Sequence, residues 1–140
     1  MKPDTIILHH SFTKDGVTVN WQAIRRYHME TLGWKEVGYH LGVELVGERY
    51  EVLMGRMLNE QGAHCKQEGM NGRSLGICII GNFDEAPPPE DQWFLTVCLV
   101  RALCDTCGIS KNRIFGHSKF APYKSCPGAY FDVSRLVSMI

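Results

Sequence analysis

The chain carries no excess of charge of either sign: fifteen Lys and Arg residues balance fifteen Asp and Glu among its 140 residues. Proteins recruited by duplexes or anionic bilayers usually show a basic excess, so the balance argues against nucleic acid or a membrane surface as partner. No apolar run is long enough to span a bilayer, and membrane insertion is not expected. The opening Met1-Lys2-Pro3-Asp4-Thr5 lacks the apolar core and small-residue cleavage site of a signal peptide. Cytoplasmic synthesis is therefore the expectation, and any target outside the cytoplasm has to be reached by another route. Internal repeats and low-complexity tracts are missing too. What remains is one domain, able to bury roughly two thirds of its unfolded surface.

Cysteine, by contrast, is plentiful, with six residues. Without a secretory signal they read as free thiols and not as a disulfide framework. Cys78 falls in an apolar strand pattern, and Cys98 and Cys104 in an apolar helix, where a thiol is a small packing group. Cys104-Asp105-Thr106-Cys107 has the C-x-x-C spacing of redox and metal sites. With no second pair, it reads as a helix end.

The β-branched, apolar Thr5-Ile6-Ile7-Leu8 predicts a buried central strand that delivers His9 and His10 at its end. Side chains alternate along a strand, so only one of the two readily faces a given site. Residues 11–20 form a polar loop long enough to line a groove. Asn20 caps a helix to about residue 31, with Trp21, Ile24, His28 and Leu32 as one apolar stripe and His28 assigned to packing. Alternation on both sides of Val46-Gly47-Glu48 predicts a hairpin, with Tyr39 and His40 opening its first strand on opposite faces. Residues 60–73, glycine-rich and polar, form a loop that carries His64 and Asn71. A second buried strand covers 75–81. After Pro87-Pro88-Pro89, a helix over 90–107 carries Trp93, Phe94, Val97, Val100 and Leu103 and stops at Gly108, as the main core helix. A short strand over 112–115 leads to His117, and a helix over 131–139 has Asp132 in its first turn. Strands interleaved with helices, plus one hairpin, give an α/β fold: a mixed central β-sheet flanked by helices, in a single domain over 1–140.

Imidazole and thiolate are the commonest zinc donors, and residues 116–128 carry one of each, His117 and Cys126. His9 is the third candidate, although His9 taken alone reads better as a satisfied core histidine. Three protein donors leave tetrahedral zinc one open position for water, which is the catalytic and not the structural pattern.

These residues resemble a known family. Leu8-His9-His10-Ser11, Val37-Gly38-Tyr39-His40, Gly62-Ala63-His64, Asn71 with Ser74-Leu75-Gly76-Ile77, Gly116-His117 and Lys124-Ser125-Cys126-Pro127 occur in the order seen in zinc-dependent N-acetylmuramoyl-L-alanine amidases. The resemblance is to the phage lysozyme type, whose fold is shared with peptidoglycan recognition proteins, and it covers about residues 5–136. It implies a sheet with helices on its faces, Zn2+ in a surface cleft, and hydrolysis of the amide joining N-acetylmuramic acid to L-alanine in the cell wall. Peptidoglycan is the implied partner, with a monomer expected. By the same resemblance His9, His117 and Cys126 are the zinc ligands, Tyr39 stands beside the zinc-bound water, and Lys124 lies near the scissile carbonyl. His64 and Asn71 fall at groove positions that bind substrate. Two departures are visible: His10 stands where relatives often have a small residue, and Tyr123 crowds the lysine loop.

The chemistry agrees with those roles. Zinc acidifies water towards a pKa of about 7 and polarises a carbonyl. Lys124, two residues before a ligand, suits a developing oxyanion, and the Tyr39 phenol suits the water or that oxyanion. No carboxylate stands out as a general base, so either Tyr39 or Lys124 assists or the hydroxide is already formed. Asp4, Glu36, Glu44 and Glu48 are scattered, unlike the paired carboxylates of glycosidases. The alternative is a module of the same fold that binds peptidoglycan without cutting it. Such relatives commonly lose the cysteine, and Cys126 is present.

Overall fold

The computed structural model describes residues 1–13 and 20–140, so residues 14–19 of the expected polar loop lie outside the described ones. Five strands form one sheet. β1 is Thr5–His10, β2 Leu41–Val46, β3 Arg49–Met54, β4 Ser74–Ile79 and β5 Ile114–Gly116. Their order across the sheet is β3-β2-β4-β1-β5. Only the β2–β3 hairpin is antiparallel; β4 runs parallel to β2 and β1, and β5 parallel to β1. The sheet is therefore mixed.

β1 is buried along its whole length, as its β-branched, apolar sequence demands of a strand paired on both sides. Ile6 and Leu8 point into the larger core, against Trp93, Val97, Val100 and Leu103 of the helix α2, Glu90–Cys107. Ile7 points the other way, towards Cys65, Met70 and Phe120. Each large apolar side chain buried there contributes roughly 1.5–3 kcal/mol. α2 starts after the three prolines with Glu90 and Asp91 in its first turn, where carboxylates suit the helix dipole. It ends at Gly108, whose φ of 66° is the left-handed cap that glycine adopts without a Cβ clash. Gln92, buried beneath its first turn, donates to the Ile80 carbonyl at 2.8 Å and fastens the helix to the end of β4.

Several boundaries and exposures differ from expectation. β1 continues through His9 and His10, so both histidines are held by sheet pairing. β5 starts at Ile114 because Lys111–Arg113 close a 3-10 turn capped by the Ser110 hydroxyl. Asp132 is not inside the first turn of the last helix, α3 (Val133–Ser138). It is the N-cap, accepting from Arg135 N at 2.8 Å. The helix α1, Trp21–Arg26, is capped by Asn20 and passes into a π-helical turn at Tyr27–Thr31. That wider turn breaks the 3.6 period, so Leu32 leaves the apolar stripe and stands exposed. Cys98 and Phe94 lie on the outer side of α2 and are exposed, so neither packs in the core. Tyr39 and His40 precede β2 instead of opening it. All six cysteines are free.

Candidate metal centre

His9, His117 and Cys126 come from three different places. His9 stands near the end of β1 on the face of Ile7, His117 opens a 3-10 turn directly after β5, and Cys126 lies in the following loop. Parallel pairing of β5 with β1 brings the first two together, with Leu8 level with Gly116. The Cys126 carbonyl accepts from Ser118 N at 2.8 Å and ties the loop to the His117 turn. Asp84 pins the same loop from the other side, accepting from the Ser125 hydroxyl at 2.5 Å and from Ala129 N at 2.8 Å.

One donor atom from each of the three residues lies within 4.8 Å of the others. His9 Nδ1 is 3.6 Å from Cys126 Sγ. Tetrahedral zinc, with nitrogen at about 2.05 Å and sulfur at about 2.3 Å, sets two such donors roughly 3.6 Å apart. The His117 Nε2 is buried without a hydrogen-bond partner among the described residues. A buried imidazole nitrogen is costly in that condition unless something else takes its lone pair. These donors fit a divalent cation of the zinc type.

Electrostatics point the same way. Burial first, then the neighbouring His64, His117 and Lys124, hold His9 well below its usual pKa. Burial, with Lys124, lowers His117 to about 4. Both imidazoles are thus neutral at pH 7, the form that ligates a metal. Burial pushes the Cys126 thiol up to about 11, against smaller opposing effects of the His10 backbone and Lys124. Without a cation this cysteine is a thiol, which is a poor nucleophile, so a cysteine hydrolase is the weaker chemistry for the site.

The three donors lie in a cleft of about 500 Å³, also lined by His64, Tyr39 and Lys124. The Tyr39 ring is 5.2 Å from that of His9. Burial, with the Cys78 and Cys126 thiols nearby, keeps its phenol protonated well above the usual range. Lys124 is exposed at the rim and makes no ion pair among the described residues. Tyr123 does not fill the cleft; it is 74% exposed and accepts from Gln67 Nε2 at 2.8 Å. A second depression of about 480 Å³ shares Trp34, His64, Tyr123 and Lys124 with the first and extends the groove past Asn71.

His64 and Asn71 are placed less simply. The His64 Nδ1 is 3.0 Å from His9 Nε2, and Asn71 Oδ1 accepts from the backbone of His64 and Cys65 at 2.8 and 2.7 Å. His10 borders the cleft, but its Nδ1 is occupied by Phe83 N at 3.1 Å. No carboxylate is among the cleft-lining residues described. Asp4 and Glu36 pair with arginines elsewhere, and Glu44 accepts from Trp21 N.

The helical period predicts packing for His28, and no local pattern singles out Trp34, Phe12 or Asp84. His28 accepts from Gly38 N at 3.0 Å, sets its ring at a tilt 4.7 Å from that of Trp34 and forms part of the cleft wall. Phe12, 61% exposed at the rim with a φ of 62°, carries no periodic signal. The one hint of Asp84 was its place after a strand, in Asn82-Phe83-Asp84, where Asn82 Oδ1 accepts from Asp84 N at 3.2 Å.

Comparison with known proteins gives a consistent picture. Residues 1–129 match the family model described as N-acetylmuramoyl-L-alanine amidase. The endolysin of Klebsiella phage KP32 is 34% identical over 135 residues, spanning 93% of this chain and 82% of that protein. The solved structure of the N-acetylmuramoyl-L-alanine amidase LysC from Clostridium intestinale URNW superposes with a TM-score of 0.83 at 27% identity, covering 98% of this chain and 84% of the other. Apis mellifera PGRP-SA shares the fold, with a TM-score of 0.79 at 24% identity over 94% of this chain and 79% of its own.

Proposed function

The chain belongs to the N-acetylmuramoyl-L-alanine amidase family and hydrolyses an amide bond of peptidoglycan, and we propose that it does so as a zinc enzyme with His9, His117 and Cys126 as ligands. One observation carries the proposal: His9 Nδ1 and Cys126 Sγ stand 3.6 Å apart, and one nitrogen of the neighbouring His117, Nε2, has no hydrogen-bond partner among the described residues. Zinc bound there supplies a Lewis acid for a carbonyl and acidifies water at neutral pH. The bond cut is the amide between N-acetylmuramic acid and L-alanine, and the cell wall is where the protein acts. Every group of the site comes from one chain, so a monomer suffices.

The remaining roles fall to the residues around the donors. Lys124 places at the rim an ammonium without an ion-pair partner among the described residues, where it stabilises negative charge developing on the carbonyl oxygen. Tyr39, held neutral by burial, donates from its phenol to the attacking water or to that oxygen. Asn71 shapes the groove wall through the backbone of residues 64 and 65. The absence of carboxylates among the described lining residues disfavours glycosidase chemistry, which needs two of them across the sugar linkage. A module that binds peptidoglycan without cutting it has no use for a cysteine donor facing His9.

The deciding experiment is digestion of purified peptidoglycan with and without chelator. Dinitrophenylation reads new amino termini while a second assay reads new reducing sugars. New L-alanine termini, intact glycan and loss of activity with chelator are expected. Reducing ends without alanine termini would sink the amidase assignment, and activity untouched by chelator would sink the zinc.

A further inference from the structure

We infer that His64 is the positioning residue of the metal centre: its Nδ1 accepts from the Nε2–H of His9 and so leaves the His9 Nδ1 lone pair facing Cys126 and His117. The inference rests on the zinc reading above and assigns a residue to it that does not touch the metal.

A neutral imidazole carries one proton on one of two nitrogens, and its hydrogen-bond partner decides which. His9 Nε2 is 3.0 Å from His64 Nδ1, while His9 Nδ1 points at Cys126 Sγ, 3.6 Å away. Two arrangements satisfy the pair. In one, His64 donates from Nδ1, and the proton of His9 sits on Nδ1, where it blocks ligation. In the other, His9 donates from Nε2, His64 accepts, and His9 Nδ1 is free to ligate. Only the second lets the three donors act together. It requires the His64 proton on Nε2, which is buried with no hydrogen-bond partner among the described residues.

The surroundings hold His64 in that one pose. A Cβ built on Gly76 would sit 2.5 Å from the His64 ring, and one on Gly62 also 2.5 Å from it. The ring therefore occupies space that only glycine leaves open, over β4 and against its own loop. Asn71 Oδ1 takes the backbone N–H of both His64 and Cys65 and fixes the loop that carries the ring. Below it, His40 is locked in turn, accepting from Gly76 N at 3.0 Å and donating from Nε2 to the Glu60 carbonyl at 2.9 Å. The Nδ1 of His64 is committed to His9 and its Nε2 is enclosed, so neither nitrogen is open to a ligand in the groove. Groups that orient a metal-bound histidine commonly matter for affinity almost as much as the ligands do.

The test compares wild-type protein with His64→Leu, which fills the space without an acceptor, and His64→Gln, whose side-chain oxygen can accept from His9. Zinc affinity is read by competition with a chromophoric chelator, apart from any assay of hydrolysis. His64→Leu is expected to bind zinc roughly 10–100-fold more weakly, with most of the loss restored in His64→Gln. In zinc-loaded wild type, nitrogen-15 NMR of the imidazoles should show His9 protonated at Nε2, a reading that needs no variant to fold. Equal zinc affinity in all three proteins, or His9 protonated at Nδ1, overturns the role of His64 and leaves the zinc site standing. Wild-type protein that takes up no zinc overturns the zinc reading itself.

Discussion

The two ends of β1 treat polar groups in opposite ways. At its start, Asp4 is charged, half-exposed and fully engaged: it pairs with Arg73 at 2.5 Å and Arg113 at 3.3 Å and accepts from the Thr5 hydroxyl at 2.6 Å. At its finish, His9 and His117 are neutral and almost completely buried, and two nearby imidazole nitrogens, on His64 and His117, have no partner among the described residues. The same strand anchors both ends, so the difference does not come from local propensity. Complete pairing is what a structural site does with charge. Enclosure of polar atoms without partners costs stability, and a fold retains it where something outside the chain completes the set. The comparison predicts that substituting the polar groups at the finish changes chemistry with little effect on stability, and that substituting Asp4 at the start leaves the chemistry intact and changes stability only modestly.

The largest effect is expected at Cys126. Cys126→Ala should abolish zinc binding and hydrolysis while shifting the unfolding free energy of metal-free protein by less than about 1 kcal/mol. Ile7, two residues before His9 and fully buried, supplies the contrast, since Ile7→Ala should cost roughly 2–5 kcal/mol through the cavity it leaves. Urea unfolding in the presence of chelator, beside zinc titration, checks both. A large stability loss at Cys126 would break the distinction between the two ends.

Next comes Lys124, exposed at the rim. Lys124→Ala should keep its zinc and lose on the order of 100-fold or more in turnover. Metal content by atomic emission, measured with the rate on peptidoglycan, separates the roles; loss of zinc would mean that the lysine holds the site together and does not act on the substrate. Asp84 should have a smaller effect. It touches no donor but pins the Cys126 loop by two hydrogen bonds. Asp84→Ala should weaken zinc roughly 10-fold, with activity recovered by excess zinc. Activity that stays low at saturating zinc would show that Asp84 matters for the substrate groove as well.

The residues around the cleft also show how far the sequence could be read. That His9, His117 and Cys126 could come together was legible, because the strand and loop patterns placed them at element ends, and the structure groups the three. The main helix and the hairpin were legible from periodicity and from Gly108 and Gly47. Asp84 was not, because its function lies in two contacts made across more than forty residues of chain. His64 was visible as a polar group on a loop, but whether it faces substrate or His9 depends on ring packing over Gly76, which no local pattern records. Leu32 and Cys98 were placed wrongly for the same kind of reason: a π-helical turn and the orientation of α2 decide their exposure.

The smallest effect belongs to the paired end. The Arg73 hydrogen bond, with weaker help from Thr5 and Arg113, lowers Asp4 from 3.8 to about 2, against partial desolvation. A carboxylate whose folded pKa is depressed stabilises the fold above its unfolded value of 3.8, and that contribution disappears as pH falls from 3.8 towards about 2. Taken whole, such a shift would correspond to about 2 kcal/mol. The Asp4 side chain is 47% exposed, however, and solvent screening reduces the expected contribution to less than about 1 kcal/mol. The buried histidines act in a different window. Burial lowers His10, His28 and His40 from 6.5, so the unfolded chain takes up protons first and stability declines as pH drops below 6.5. Asp4→Asn should therefore flatten only the limb below pH 3.8 and leave the decline below 6.5 intact. Urea unfolding of the metal-free variant and parent from pH 7.5 down to pH 2 reads both limbs. If Asn at position 4 also removed the upper limb, the two ends of β1 would be coupled through the sheet, and the independence on which the comparison depends would be lost.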